Sequence, residues 1–241
     1  MDKLQFENLM REKDTTYSEY FAQALLALVY DDFFALSKRS ESPDIQLDLG
    51  EYSHGVEVTR LICSYFVTLK KYTKAWAKQR LSMEQIIERM PYELKNSVGV
   101  NSVGKVVPLK SLGEKIGVRK MTNQVLNIVQ AKTEKLQHYE HFKKNSLFIF
   151  ATELNPNITT KKLMSAFVWA SKKSEYKKQY NNIFVFTYKN LHCFNIEQNH
   201  YGVKSIPVDD TTISTCDKYA RNAKRQNFQN YLQQHVGQLE K

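Results

Sequence analysis

The chain has 241 residues, a hydrophobic share of 42% and a formal net charge of +10 at pH 7. This composition excludes the intrinsically disordered class, and the length suits one large domain that folds without disulfides. So basic a surface attracts polyanions, of which nucleic acid is the commonest, although some basic proteins bind no polyanion specifically.

The cysteines and the apolar runs exclude two further classes. Cys63, Cys193 and Cys216 are an odd number at distant positions without a CxxC pair, so neither a disulfide framework nor a zinc ribbon is encoded. The first seven residues lack the basic-then-apolar pattern of a signal peptide, and no apolar run approaches the roughly 20 residues of a membrane span. We therefore expect a cytoplasmic protein without a membrane segment.

The first predicted elements are a helix and a hairpin. Apolar residues recur at helical spacing over residues 16 to 37, and Thr16 with Glu19 fits a capping box at the start of that helix. Apolar and polar residues then alternate in two short segments, residues 45 to 49 and 56 to 59, separated by a turn. The sequence predicts a β-hairpin with one polar face after a buried helix.

A basic insertion is predicted over residues 62 to 120. Its first part suits one or two helices, and the candidate phosphate contacts there are Lys70, Lys71, Lys74, Lys78 and Arg80. Its second part is rich in glycine, which favours a loop or short hairpin. Residues 99 to 106 nearly match a phosphate-binding P-loop, but extended chain follows them instead of a helix, so the hairpin is favoured.

The rest of the chain predicts a mixed sheet covered by helices. Pattern and turn signals place helices at 122 to 141 and 159 to 180, strands at 146 to 152, 182 to 188 and 191 to 196, a loop at 195 to 214, and a basic helix at 215 to 241. This order predicts a single mixed α/β domain with a central mixed sheet flanked by helices.

Two carboxylates stand on the polar face of the predicted hairpin. Asp44 precedes the first strand and Glu57 lies in the second, so antiparallel pairing can bring both to one side of the sheet. Two carboxylate oxygens, joined by a backbone carbonyl such as that of Val58, suit a hard cation such as Mg²⁺ or Mn²⁺. The pair therefore predicts a divalent metal site.

These residues resemble the PD-(D/E)xK, or restriction-endonuclease-like, nuclease superfamily. Pro43 and Asp44 match the first half of its motif, and Glu57 to Thr59 match the second half. The resemblance covers about residues 16 to 152, interrupted by the insertion. It implies an αβββαβ core and metal-dependent hydrolysis of phosphodiester bonds, in DNA more often than in RNA. Double-strand cutters of this type often pair, which leaves a homodimer open.

The chain departs from the family pattern at Thr59, where the motif has a lysine. That lysine offsets charge on the transition state, so another cation is expected to replace it. The family is known to move this residue onto the next helix, where Lys132 lies within an apolar stripe and needs an anionic partner if it is buried. Alternatively, Lys132 reaches water along the stripe. Lys135, at the edge of the stripe, is the second candidate.

Glu19 and Asp48 are accessory candidates. The resemblance gives a glutamate on the first helix the role of holding a second metal or a water, but Glu19 also fits the capping box with Thr16. Asp48 has the same facing as Asp44 and would replace it if the hairpin register slid.

Three functional hypotheses follow from these signals. The leading one is a divalent-metal-dependent nuclease with Asp44, Glu57 and Lys132 in the site. The second is a catalytically inactive nuclease-like protein that binds nucleic acid, and the third is an α/β scaffold without nucleic acid. His138 and His141 lie three apart without a third ligand at a matching spacing, which favours surface histidines over a metal site.

Overall fold

A computed structural model describes residues 2–62, 64–110, 118–139, 142–152, 160–197, 200–223, 228, 230 and 231. The helices are α1 (Lys3–Glu12), α2 (Thr15–Val29), α3 (Ser64–Ala77), α4 (Met83–Glu88), α5 (Tyr92–Lys95), α6 (Val118–Leu136), α7 (Thr160–Lys173) and α8 (Asp210–Asn222). The strands are β1 (Lys38–Arg39), β2 (Ile45–Asp48), β3 (Ser53–Arg60), β4 (Val98–Val100), β5 (Val106–Pro108), β6 (Lys144–Phe150), β7 (Asn182–Phe186), β8 (Asn190–Glu197) and β9 (His200–Pro207). In the described ranges, no helix is long and apolar enough to cross a lipid bilayer.

A mixed sheet of seven strands forms the centre of the molecule, in the order β1-β2-β3-β6-β7-β8-β9. Strands β3, β6 and β7 are parallel, while the hairpins at both edges pair antiparallel. Helices flank this sheet, so the expected mixed α/β class with a central mixed sheet is confirmed.

Each face of the sheet packs against its own layer of helices. The phenylalanines of β6 and β7, such as Phe148 and Phe184, join α1, α2 and α8 in one apolar core. Their neighbours Ile149 and Val185 point the other way and join α6 and α7 in a second core. Because β6 and β7 are buried on both faces, their sequences are continuously apolar.

The N-terminal helices differ from the expectation. Residues 3 to 12 form α1, which the sequence did not predict. The predicted helix over 16 to 37 begins at Thr15 and ends at Val29, after which Asp31 caps a separate 3-10 helix, Asp32–Leu36. The capping box of Thr16 and Glu19 was wrong, because the side chain of Asp14 is the cap and accepts a hydrogen bond from the Tyr17 N–H at 2.9 Å.

The C-terminal half differs in its last strand and last helix. Residues 200 to 207, expected to be loop, form strand β9 at the edge of the sheet. Most of its described side chains are exposed, so they lack the alternation that marks a half-buried strand. Helix α8 begins at Asp210, five residues earlier than expected, because Asp209 caps it. The expected basic helix beyond residue 231 lies outside the described residues.

The insertion contains α3, α4 and α5, followed by the hairpin of β4 and β5. This hairpin replaces the strand-to-helix turn of a P-loop, as the sequence favoured. Leu69 of α3 and Ile86 of α4 are buried in the same core as α6. The insertion is therefore packed onto the helical layer beside α6.

Candidate metal and catalytic site

The hairpin register brings the two predicted carboxylates together. Ile45 pairs with Val56, so extending the register by one pair puts Asp44 directly across from Glu57. Glu57 also pairs with Leu147 of β6, which places its side chain on the sheet face that α6 covers. The predicted common facing of the two carboxylates is confirmed.

A close backbone approach holds Asp44 in place. A Cβ atom on Gly55 would lie 2.6 Å from Cγ of Pro43 and 3.1 Å from the Phe142 ring, so only glycine leaves room for Pro43 there. The N–H of Val58 then donates to Oδ2 of Asp44 at 2.7 Å. Since the N–H and C=O of a strand residue point the same way, the Val58 carbonyl faces the same edge.

The environment of Asp44 favours its neutral form. Burial raises the pKa of this carboxyl to about 7, and the negative charge of Glu57 adds to the shift, while the Val58 N–H opposes it. A cation between the two carboxylates would remove the repulsion between them. The pair therefore has an electrostatic reason to bind positive charge.

Lys132 supplies one such charge. Its ammonium donates to Oε1 of Glu57 in an ion pair, with 20% of the Lys132 side chain exposed and 6% of that of Glu57. The prediction that Lys132 turns toward the carboxylates, away from water, is confirmed. Oε2 of Glu57 is buried and has no hydrogen-bond partner among the described residues.

Glu57 therefore keeps one buried oxygen, Oε2, without a hydrogen-bond partner in the described structure. Its Oε1 accepts from Lys132, and Oδ2 of Asp44 accepts from Val58. A buried carboxylate oxygen without a partner is uncommon and unfavourable in a folded protein. A divalent cation held by Oε2 of Glu57 and by the neighbouring Asp44 carboxylate would give this oxygen a partner.

Two tyrosines that the sequence did not nominate border the site. The hydroxyl of Tyr180 donates to the backbone carbonyl of Lys132 at 3.2 Å, which ties this turn of α6 to the segment before β7. Burial, followed by the negative charge of Glu57, raises the pKa of both Tyr139 and Tyr180 above the ordinary value. The nearness of the Tyr139 hydroxyl to the Glu57 carboxylate adds to the shift of the Tyr139 pKa. Tyr139 lies three residues beyond the end of α6, and only the fold shows its nearness to Glu57.

Glu19 is buried in a different arrangement from the one expected. It forms an ion pair with Arg39 of β1, and its charge adds a smaller contribution to the raised pKa of Asp44. Glu19 therefore lies close to the carboxylate pair, although Arg39 already neutralises it. No sequence signal pointed to Arg39, because nothing in the chain order joins β1 to the middle of α2.

The remaining accessory candidates lie apart from the pair. Asp48 is exposed opposite Ser53, at the other end of the hairpin, and accepts from the Gly50 N–H at 3.1 Å. Thr59 follows Glu57 on the same side of β3. Lys135 is exposed on α6. Of the two lysines proposed as replacements, only Lys132 reaches the carboxylates.

The predicted phosphate contacts are exposed cations. Lys70, Lys71 and Lys74 lie on α3, and Lys78 and Arg80 lie in the turn that follows it. Their exposure permits contact with a polyanion, and that contact stays a prediction.

Other candidate metal ligands form no site in the described ranges. No group of three or more His, Cys, Asp or Glu side chains is placed there to hold a metal ion. His138 is exposed, while His141 and Cys63 lie outside the described residues. Cys193 and Cys216 are free and buried, as a reduced core cysteine would be.

Comparisons of the chain with protein-family models, with curated proteins and with solved structures found no match.

Proposed function

We propose that the chain is a divalent-metal-dependent nuclease that hydrolyses phosphodiester bonds, with DNA as its substrate and a restriction-endonuclease-like fold. The observation that carries this proposal is the buried Oε2 of Glu57, which has no hydrogen-bond partner among the described residues and lies across the hairpin from Asp44. The order α2, β1, β2, β3, α6, β6 supports it, since it corresponds to the αβββαβ order of the resembled family.

The residues present fit a divalent cation. Asp44, Glu57 and the carbonyl of Val58 would hold it, with Mg²⁺ or Mn²⁺ as the ion that such oxygen ligands select. When bound, the ion supplies Lewis acidity toward water and toward a phosphate oxygen.

The protein itself performs three tasks in this proposal. The N–H of Val58 fixes one oxygen of Asp44, and Lys132 fixes one oxygen of Glu57, so the two carboxylates keep a constant orientation. Lys132 has further N–H donors, which can bind a phosphate oxygen and take the role of the lysine missing at position 59. Tyr180 holds the turn of α6 from which Lys132 extends.

The test is cleavage of plasmid and single-stranded DNA by purified protein with Mg²⁺, with Mn²⁺ and with chelator. We expect Asp44→Asn and Glu57→Gln each to lower the rate by about 100-fold or more, because each removes a charged ligand. Asp48→Asn is the matched control, since Asp48 belongs to the same hairpin but lies at its other end. Cleavage should also stop in chelator.

Two outcomes count against the proposal. The first is a wild-type protein that cuts no DNA with either ion, and binding without cleavage would then favour the inactive nucleic-acid-binding protein. The second is cleavage that survives both Asp44→Asn and Glu57→Gln, since the activity would then come from elsewhere.

A further inference from the structure

A second surface with chemistry of its own lies at the far edge of the sheet, where α7 packs against β9. At neutral pH every charged residue of these two elements is a lysine. Lys161 and Lys172 of α7 and Lys204 of β9 are exposed. We call this the α7–β9 surface. Its single sign of charge suits a polyanion.

The same surface exposes aromatic rings, which a purely electrostatic surface does not need. Trp169 of α7 is 56% exposed and Tyr201 of β9 is 44% exposed, whereas the phenylalanines of the sheet are buried. Phe167, two residues before Trp169, packs edge-on against Phe194 in the core at 5.0 Å between ring centroids. Helix α7 is thus held with Trp169 turned outward. These rings add apolar area to a surface whose charged residues are all lysines.

The exposed tryptophan borders a shallow depression of about 550 Å³. Met164, Val168 and Trp169 supply its apolar lining, and Lys161 and Lys172 also line it. Residues 161, 165, 168 and 172 are spaced by 4, 7 and 11 positions from the first, so they share one face of the helix. The two lysines stand roughly 16 Å apart along the axis, with the apolar lining between them.

We propose that the α7–β9 surface binds single-stranded nucleic acid, with bases stacked on Trp169 and phosphates contacted by Lys161 and Lys172. An unpaired strand offers the faces of its bases, which a duplex keeps stacked inside. Basic residues that follow the backbone together with aromatic side chains that stack on bases are the usual means of such binding. The amine of Lys172 lies 5.8 Å from the centre of the Tyr201 ring, so the second aromatic ring stands beside the phosphate contact.

The neighbouring cleft directs the strand to the lysine side of Trp169. A cavity of about 600 Å³ between α6 and α7 also borders Trp169, and two glutamates, Glu134 and Glu175, line it against one lysine, Lys173. Their negative charges repel phosphate. The depression between Lys161 and Lys172, which has no acidic residue among its described lining residues, therefore suits a polyanion better than this cavity does.

Binding at this surface does not depend on cleavage. The inference rests on the proposed function only where it concerns cleavage of the bound strand. Helix α7 and the side chain of Glu57 lie on the same face of the sheet, since Phe167 of α7 packs in the core on that face. Four strand spacings separate β3 from β9, which is about 19 Å. A strand held on α7 could thus extend along the same side of the molecule toward the carboxylate pair.

The test uses the fluorescence of Trp169 in the full chain. The chain has two tryptophans, so Trp76→Phe leaves Trp169 as the only reporter. This protein is titrated in chelator with an oligo-dT of about 16 nucleotides, near the upper limit of common single-strand site sizes, and with a blunt duplex of equal length. We expect quenching by the single strand and at least about tenfold weaker binding of the duplex, since stacking contributes about 1–3 kcal/mol per base.

The variants separate stacking from charge. By anisotropy of a labelled oligo-dT, Trp169→Ala should weaken binding by about tenfold, while Trp169→Phe keeps an aromatic ring and most of the affinity. Lys172→Ala should lower the slope of log affinity against log salt by about 0.7, the value for one phosphate contact on a single strand. Lys38 is an exposed lysine on β1 at the other edge of the sheet, and Lys38→Ala should leave the affinity for oligo-dT and the salt slope unchanged.

Three results would overturn the inference: no quenching of Trp169, duplex binding as tight as single-strand binding, or equal effects of Lys172→Ala and Lys38→Ala. Binding without cleavage in Mg²⁺ would refute the proposed nuclease and leave this surface intact. Cleavage by a protein whose Trp169 fluorescence is not quenched would refute binding at the α7–β9 surface and leave the proposed nuclease intact.

Discussion

Glu57 and Lys132 form a buried pair in which each charge depends on the other. Glu57 is 5% exposed, and its Oε1 accepts from the Lys132 ammonium. Removing one partner of such a pair leaves the other charge buried without compensation, whereas removing both is far less harmful. The pair therefore links the stability of the fold directly to the candidate site.

Replacing Lys132 tests that link without any cleavage assay. We expect Lys132→Met to lower the free energy of unfolding in chelator by about 3 kcal/mol, and Glu57→Gln combined with Lys132→Met to recover much of the loss. If a cation binds at Glu57, Mg²⁺ should stabilise Lys132→Met more than the wild type, because the ion then neutralises the carboxylate alone.

Urea denaturation with and without Mg²⁺ measures these differences. Lys135→Met, one turn along the same helix but exposed, serves as the control and should change stability by less than about 0.5 kcal/mol. A Lys132→Met protein as stable as this control would show that the ion pair contributes nothing.

At the scale of elements, the hairpin of β2 and β3 fixes the site through one glycine. Gly55 lies within β3, where Pro43 packs against its backbone. Any side chain at position 55 must displace Pro43, and Asp44 is the next residue in the chain. The geometry of the carboxylate pair thus depends on a residue that carries no chemistry.

Gly55→Ala should therefore damage both stability and activity. We expect a loss of about 1–3 kcal/mol in the free energy of unfolding, as for other overpacked sites, together with slower cleavage. Gly202→Ala in β9 is the matched control, because no atom lies within 4 Å of the Cβ that it would add. Thermal unfolding and the plasmid assay compare the two variants. Equal behaviour of both would mean that the contact with Pro43 does not position Asp44.

The elements with a regular apolar pattern were predictable from sequence, and those without one were not. The hairpin and α6 carry clear alternation and helical spacing, which is also why Lys132 stood out within its stripe. Strand β9 is exposed along most of its length, and α1 has only Phe6 and Met10 as wholly buried apolar residues, so neither pattern emerged. Arg39 and Tyr180 reach the site through contacts between distant segments, which local spacing does not encode.

At the scale of the whole molecule, the sheet has an apolar core on each face. Some polar side chains that link different elements are buried as well. His54 is the clearest case at the start of β3. Its Nε2 lies 2.7 Å from Oγ of Ser146 and its Nδ1 lies 3.2 Å from the Tyr52 hydroxyl, and it packs beside the Phe34 ring. Burial lowers the pKa of His54 to about 4, and the positive charge of Lys144 adds to this effect.

This histidine makes the global stability sensitive to acid. The unfolded chain takes up a proton near pH 6.5, whereas the folded protein takes it up only near pH 4, so acidification favours unfolding. The contribution is fully present at pH 7, above the unfolded pKa, and is lost as the pH falls from 6.5 to 4. It amounts to about 3 kcal/mol.

The difference between the wild type and His54→Gln in urea denaturation from pH 7 to pH 4 in chelator measures this loss, because the raised pKa of Asp44 acts in the opposite direction in both proteins. His54→Gln removes the titrating group and keeps a polar side chain able to hydrogen-bond with Ser146, so the wild type should lose stability relative to this variant as the pH falls. His138→Gln replaces an exposed histidine and should retain the wild-type slope. Parallel curves of stability against pH for all three proteins would mean that His54 is not the cause of the acid sensitivity. Repulsion among the positive charges of a chain that already carries +10 at pH 7 would then be the alternative cause.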